Sequence, residues 1–260
     1  MKQYKSEQWL EILAFNDLDT YEKIWALKAE WFEEPNERRG GWSGVSRLEL
    51  KLPSGGCVGV FLKRQENHVT PSISHPIRGL ATFAIEFANI SNFKKNNIPT
   101  LDTIFFAHRH SQKAQRAVLM TEELAGYLPL SSNEYRPGGT YVSTKEQKLK
   151  LFKQLSALIR DMHAKGFKHD CLYLKHVFAK QLPAGEVDLR LIDLEKAKKT
   201  PFKKAMVFRD LYSLHRHSEY WGVKDKLAFF KYYQQENRLS KSSKALIRKV
   251  EARVVLKRKQ

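Results

Sequence analysis

The apolar run from Val187 to Ile192 ends on Asp193, within LRLIDLEKA. A carboxylate at the end of an apolar strand is a natural ligand for Mg2+, a hard cation that takes oxygen donors. Ahead of it, MHAKGFKHDCLYLKH places His169, Asp170, Cys171 and His176 on one loop. Far upstream, Gly40, Gly41, Ser43 and Gly44 fall in RGGWSGVS, where glycines let backbone amides approach and cradle a phosphate. The next apolar run, VFLK, ends on Lys63. Glu86 then lies among Phe83, Phe87 and Ile90, close to the buried side of a helical pattern. A carboxylate there needs a partner, and Lys63 would serve.

The elements that must position these groups follow from periodicity. Residues 6–33 carry helical spacing, which Pro35 and Asn36 break. The glycine-rich turn precedes an alternating strand at 48–52, and Pro53-Ser54-Gly55-Gly56 turns the chain into a second strand that ends at Lys63. Residues 76–93 have helix periodicity through Ile77, Leu80, Phe83, Phe87 and Ile90. Segments 102–108 and 116–120 read as buried strands, and 121–126 as a connector. A long helix opens at a capping box, Thr144 with Gln147, and stops at Gly166. The His169–His176 loop, a short strand at Val177, a turn at Pro183–Gly185 and the strand ending at Asp193 follow. Helices fill 205–220, opened by Arg209-Asp210-Leu211, and 224–260.

That order, a helix, a loop with histidine, a hairpin and an aspartate at a strand end, resembles the catalytic region of protein kinases. Together, PNERRGGWSGVSR, VFLKR, PIRGLATFAIEF, LYLKHVF, LRLIDLEKA and RDLYSLHRH resemble the InaA group of lipopolysaccharide kinases over about residues 30–235. The resemblance implies an α+β, protein-kinase-like fold of two lobes. A β-rich N-terminal lobe would span 1–120 and a larger helical lobe 121–260. The activation segment would be minimal, since only 16 residues separate Asp193 from Asp210. It further implies a cytoplasmic, ATP- and Mg2+-dependent phosphotransferase, peripheral on the inner face of the inner membrane. Its acceptor would be a Kdo or heptose hydroxyl of the lipopolysaccharide inner core.

Residue by residue, the resemblance implies that Gly40, Gly41, Ser43 and Gly44 cover the nucleotide phosphates. Lys63, paired with Glu86, would hold the α/β-phosphates, and the segment 120–124, with Glu122, would meet adenine through its backbone. Asp193 would bind Mg2+, and Asp210 would brace the loop. With His169 on the template histidine, Cys171 occupies the place of the catalytic aspartate and Asp170 lies one position early. Asp170 is then the base that orients the sugar hydroxyl, with Cys171 lining the site. His176 stands in the place of the second metal-side residue, an asparagine in the template. Imidazole is a poor Mg2+ ligand, so hydrogen bonding is its alternative role.

The formal charge is +18, and its excess gathers late, at Lys241, Lys244, Arg248, Lys249, Arg253, Lys257, Arg258 and Lys259. Such a balance attracts polyanions, and an anionic membrane leaflet bearing the glycolipid acceptor would suit it. Nucleic acid is the other polyanion, supported by charge alone because no recognised binding module occurs. Two cysteines in 260 residues exclude a disulfide framework. No signal peptide or membrane-spanning run is expected. Cys171 also supports a competing reading, a weak or inactive pseudokinase that binds nucleotide and regulates the response to envelope stress.

Overall fold

The computed structural model describes residues 2–37, 40–72, 75–111 and 114–258. Arg38 and Arg39 of the glycine-rich segment and Lys259 of the basic end lie outside the described residues. The chain divides into two compact units, 1–92 with 101–125, and 93–100 with 126–260.

The first unit contains strand β1 (Lys2–Lys5), helices α1 (Leu10–Phe15) and α2 (Tyr21–Ala26), and strands β2 (Glu33–Asn36), β3 (Trp42–Lys51) and β4 (Cys57–Glu66). A hairpin, β5 (Val69–Ser72) and β6 (His75–Ala81), leads into helix α3 (Thr82–Lys95), and β7 (Thr103–His110) and β8 (Gln115–Glu122) complete it. Six strands form an antiparallel sheet in the order β1-β7-β8-β4-β3-β2. One sheet face packs under α1 and α2 through Trp9, Leu13, Ile24, Val60, Leu62 and Met120. The other receives α3, where Phe87 stacks on Phe106 with ring centroids 4.0 Å apart.

Several element boundaries differ from the sequence reading. Residues 6–33 do not form one helix: the chain leaves helical geometry at Asp17, with φ 56°, and a new helix starts at Tyr21, capped by Thr20, which accepts from Lys23 N–H. Pro35 and Asn36 lie in β2, paired with β3, rather than in a break. Helix α3 starts at Thr82, not at 76, because 75–81 pairs as a strand with β5 and Gly79 has φ 64°. Hairpin pairing there overrides an apolar spacing that also suits a helix.

The second unit contains β9 (Leu128–Pro129), helix α4 (Lys145–Ala164), β10 (Phe167–Lys168), β11 (Val177–Gln181), β12 (Val187–Leu191), β13 (Lys198–Lys199), and helices α5 (Lys203–Arg216), α6 (Val223–Gln234) and α7 (Lys241–Arg258). The capping box is present: Thr144 Oγ1 accepts from Gln147 N at 3.1 Å, and Thr144 N donates to Gln147 Oε1 at 3.0 Å. Gly166, with φ 81°, ends α4 in a left-handed turn that a side chain would strain. The helical stretch read from 224 onward consists of α6 and α7, separated where Gln235 turns left-handed at φ 56°. Among the described residues no helix is long and apolar enough to cross a membrane.

Candidate active site

In the first unit, strand alternation turns Lys63, together with its partner Leu119 on β8, toward α3. Lys63 Nζ donates to Glu86 Oε1 at 2.6 Å, and the Glu86 side chain is only 3% exposed. A carboxylate buried so deeply requires this cation: removing either partner leaves a desolvated charge. Two residues along the same strand face, buried Gln65 accepts at Oε1 from Phe83 N at 2.7 Å and from Thr82 Oγ1 at 2.8 Å. Strand β4 therefore fixes the start of α3 at two points, by a charge pair and by a side-chain acceptor for an otherwise orphaned helix amide. The sequence reading missed Gln65; the signal was its period-two offset from Lys63.

The glycine-rich segment is less of a loop than its composition suggests. Gly40 lies in the turn with φ 77°, but Ser43 and Gly44 are inside β3, opposite Gln65 and Arg64 of β4. A side chain on Gly41 would overlap the Glu66 carbonyl, and one on Gly44 would lie 2.6 Å from the Trp31 ring. These glycines permit close packing on a strand and an indole. Glu122 ends β8, where its N–H donates to Asp102 O, while Glu123 N–H donates to Gly59 O.

In the second unit, α4 and α5 supply the frame of the His169–His176 loop. Asp210 is fully buried in the middle of α5, not at its start. It accepts from His169 N at 2.7 Å and from Asp170 N at 2.8 Å, so it braces the loop backbone. His163, on α4, faces Asp210 Oδ2 at 3.1 Å through Nε2 and the Tyr233 hydroxyl at 2.8 Å through Nδ1. Burial pushes the Tyr233 hydroxyl well above its ordinary range, so it stays protonated. His163 and Tyr233 were not singled out in the sequence.

His169 is fully enclosed, and burial pushes it below its ordinary value, so its ring is neutral. Its Nε2–H donates to the Ile192 carbonyl at 3.0 Å, while Ile192 N donates to His176 O at 3.0 Å. Ile192 is thus tied to both ends of the loop, which fixes Asp193 beside it in the left-handed region at φ 58°. Asp193 Oδ2 lies 3.1 Å from His176 Nε2, and His176 Nδ1 donates to the Cys171 carbonyl at 2.9 Å. Burial pushes His176 below its ordinary value, against the pull of Asp193.

Asp170 also sits in the left-handed region, at φ 66°. Its carboxylate pairs with Lys168 Nζ at 2.9 Å and Arg209 Nε at 2.8 Å. Burial pushes that group up, but the two cations outweigh it and hold it below the usual carboxylate range. Cys171 is buried, and burial pushes its thiol up, away from the thiolate form.

Asp193 Oδ2 offers the oxygen donor that Mg2+ takes, whereas the imidazole of His176, 3.1 Å away, is a poor ligand for that ion. Among the described residues no group of three or more such ligands converges.

The model of the lipopolysaccharide kinase (Kdo/WaaP) family matches residues 22–233. The chain belongs to this family. Protein InaA of Escherichia coli (strain K12) is 25% identical to it over 201 residues, 77% of this chain and 89% of that protein. A solved structure of WaaP in complex with acyl carrier protein superposes with a TM-score of 0.67 at 22% identity, over 98% of each chain. The fold is α+β and protein-kinase-like, as the order of loop, hairpin and Asp193 implied.

Proposed function

We propose that this lipopolysaccharide-kinase family member is an ATP-dependent phosphotransferase acting on a Kdo or heptose hydroxyl of the lipopolysaccharide inner core. The observation that carries it is the buried Lys63–Glu86 pair at 2.6 Å. An ammonium fixed by a helix carboxylate is what a kinase-like site uses to grip α/β-phosphates. ATP with its Mg2+ would supply the phosphoryl group and neutralise its charge. Lys63 would hold the α/β-phosphates, with Gly40 and Gly41 of the turn and Ser43 and Gly44 of β3 toward the phosphate side. Asp193 would hold the metal, with His176 beside it. The backbone of the segment 120–124, with Glu122, would meet adenine.

Asp170 would orient the sugar hydroxyl. Its two cations make it a weak proton acceptor, which is tolerable because phosphoryl transfer rests mainly on positioning and electrostatics. The late basic surface, chiefly α7, would meet an anionic cytoplasmic leaflet.

A second reading, a pseudokinase with a regulatory role, is favoured by Cys171, a protonated thiol where the template has its aspartate. A radiolabel transfer assay with ATP offers purified core glycolipid, casein or no acceptor. Label in the glycolipid supports the kinase; label nowhere, with ATP still bound, supports the pseudokinase. Label in casein alone overturns the acceptor assignment.

A further inference from the structure

Between Asp193 and α5 runs a segment, residues 198–204, that the site described above does not use. Its strand β13 pairs with β10, Lys198 opposite Lys168 and Lys199 opposite Phe167. Thr200 N–H donates to Gly166 O at 2.9 Å, and Phe202 N–H donates to Thr200 Oγ1 at 3.3 Å. The backbone is held at these points, yet the Phe202 ring is 73% exposed. Lys198, Lys199, Lys203 and Lys204 flank it in sequence, and all four are exposed. Helix α5 breaks a local rule at this end. No side chain caps it, its first turn has no acid, and Lys203 and Lys204 add positive charge at the positive end of its dipole. Such a conflict, uncompensated within the chain, is what an anionic surface would relieve.

An aromatic ring presented among lysines suits the boundary of a bilayer, with the ring below the headgroups and the ammonium groups at lipid phosphates. Single-stranded nucleic acid can also meet lysines and stack on an aromatic ring. The neighbouring helix favours lipid. α7 packs on α5, with Lys249 Nζ 4.8 Å from the Phe208 ring centroid. It adds the exposed aliphatic side chains Val255 and Leu256 between Arg253 and Lys257, and acyl chains accept these where bases do not stack on them.

We propose that Phe202 is a membrane anchor, inserted into an anionic bilayer while Lys198, Lys199, Lys203 and Lys204 engage its phosphates. This deepens the leaflet contact proposed above, on which it rests, by adding an apolar anchor in a second place. The anchor is tied to Asp170 from both sides. Lys168, opposite Lys198, pairs with that carboxylate at 2.9 Å, and Arg209, about two turns beyond Phe202 on α5, pairs with it at 2.8 Å. A bilayer seated on Phe202 is thereby linked to the group proposed to orient the acceptor.

The test is co-sedimentation of the full chain with vesicles of phosphatidylcholine, alone or mixed with phosphatidylglycerol, beside a titration with single-stranded RNA. The wild type should bind only the vesicles that contain phosphatidylglycerol. Phe202→Ser should weaken that partition about tenfold, with its thermal unfolding unchanged. Replacing Lys203 and Lys204 together by serine should weaken it about tenfold and make it less sensitive to salt. Phe202→Trp should keep binding, and brominated acyl chains should quench its emission beyond that of the wild type. Undiminished partition of Phe202→Ser, or no added quenching in Phe202→Trp, overturns the anchor and leaves the leaflet contact through α7 standing. No vesicle binding by the wild type overturns both, while the transfer assay still decides the kinase reading. Binding of RNA without binding of vesicles assigns the lysines to nucleic acid and also overturns both.

Discussion

In the first unit the key ammonium is held by two regular elements: Lys63 projects from β4 onto α3, and Gln65 repeats the attachment two residues on. In the second unit the two acids stand at left-handed residues, Asp170 at φ 66° and Asp193 at φ 58°. Irregular backbone of this kind persists only where its surroundings over-determine it. Here Asp210, His163, His169 and the doubly bonded Ile192 do so. One region takes its geometry from ordinary strand and helix packing, the other from a buried polar brace. The brace should therefore be the more fragile of the two.

The largest effect is expected at Asp210→Ala. Two buried backbone amides and His163 would lose their acceptor, costing about 3–5 kcal/mol of unfolding free energy in a urea titration. A loss below about 1 kcal/mol would show that the loop does not depend on the brace. Gln65→Ala comes next, at about 2 kcal/mol, because it removes one acceptor from the start of α3 and leaves Lys63–Glu86 in place. If Gln65→Ala proved more damaging than Asp210→Ala, the comparison would be reversed.

The brace also predicts a pH dependence. The folded-state value of His169 lies below the ordinary histidine value. The unfolded chain therefore takes up a proton there first, and stability falls as pH drops below about 6.5. Thermal unfolding between pH 7.5 and about 5 would follow this, and His169→Asn should flatten the decline. An equal decline in the variant would assign the effect elsewhere.

The smallest stability effect is expected at Asp170→Ala, about 1–2 kcal/mol: half-exposed Arg209 remains solvated without it, while largely buried Lys168 loses a partner. Its turnover should nonetheless fall, by about a hundredfold or more if the carboxylate orients the acceptor. Unchanged turnover would remove Asp170 from the reaction.

What the sequence made legible follows the same division. The β3–β4 hairpin, the capped helix α4 and the strand ending beside Asp193 were readable because each is set by local periodicity and turn residues. So was the nearness of Lys63 to Glu86, since a buried carboxylate demands a cation. The start of α3 and the break at Asp17 were misplaced, because pairing and left-handed turns decided them rather than apolar spacing. Strand β1 was missed because its partner, β7, lies about a hundred residues away. His163, Tyr233 and Gln65 act through contacts that no local pattern announces.

In the proposed function Lys63 would grip the phosphates of ATP and Asp193 would hold its metal. Calorimetric titration of ATP with Mg2+ into wild type, Lys63→Ala and Asp193→Asn tests it most directly. Saturable binding by the wild type is expected, weakened about ten- to a hundredfold in each variant while folding is retained. No binding by the wild type, or equal binding by all three proteins, would contradict it.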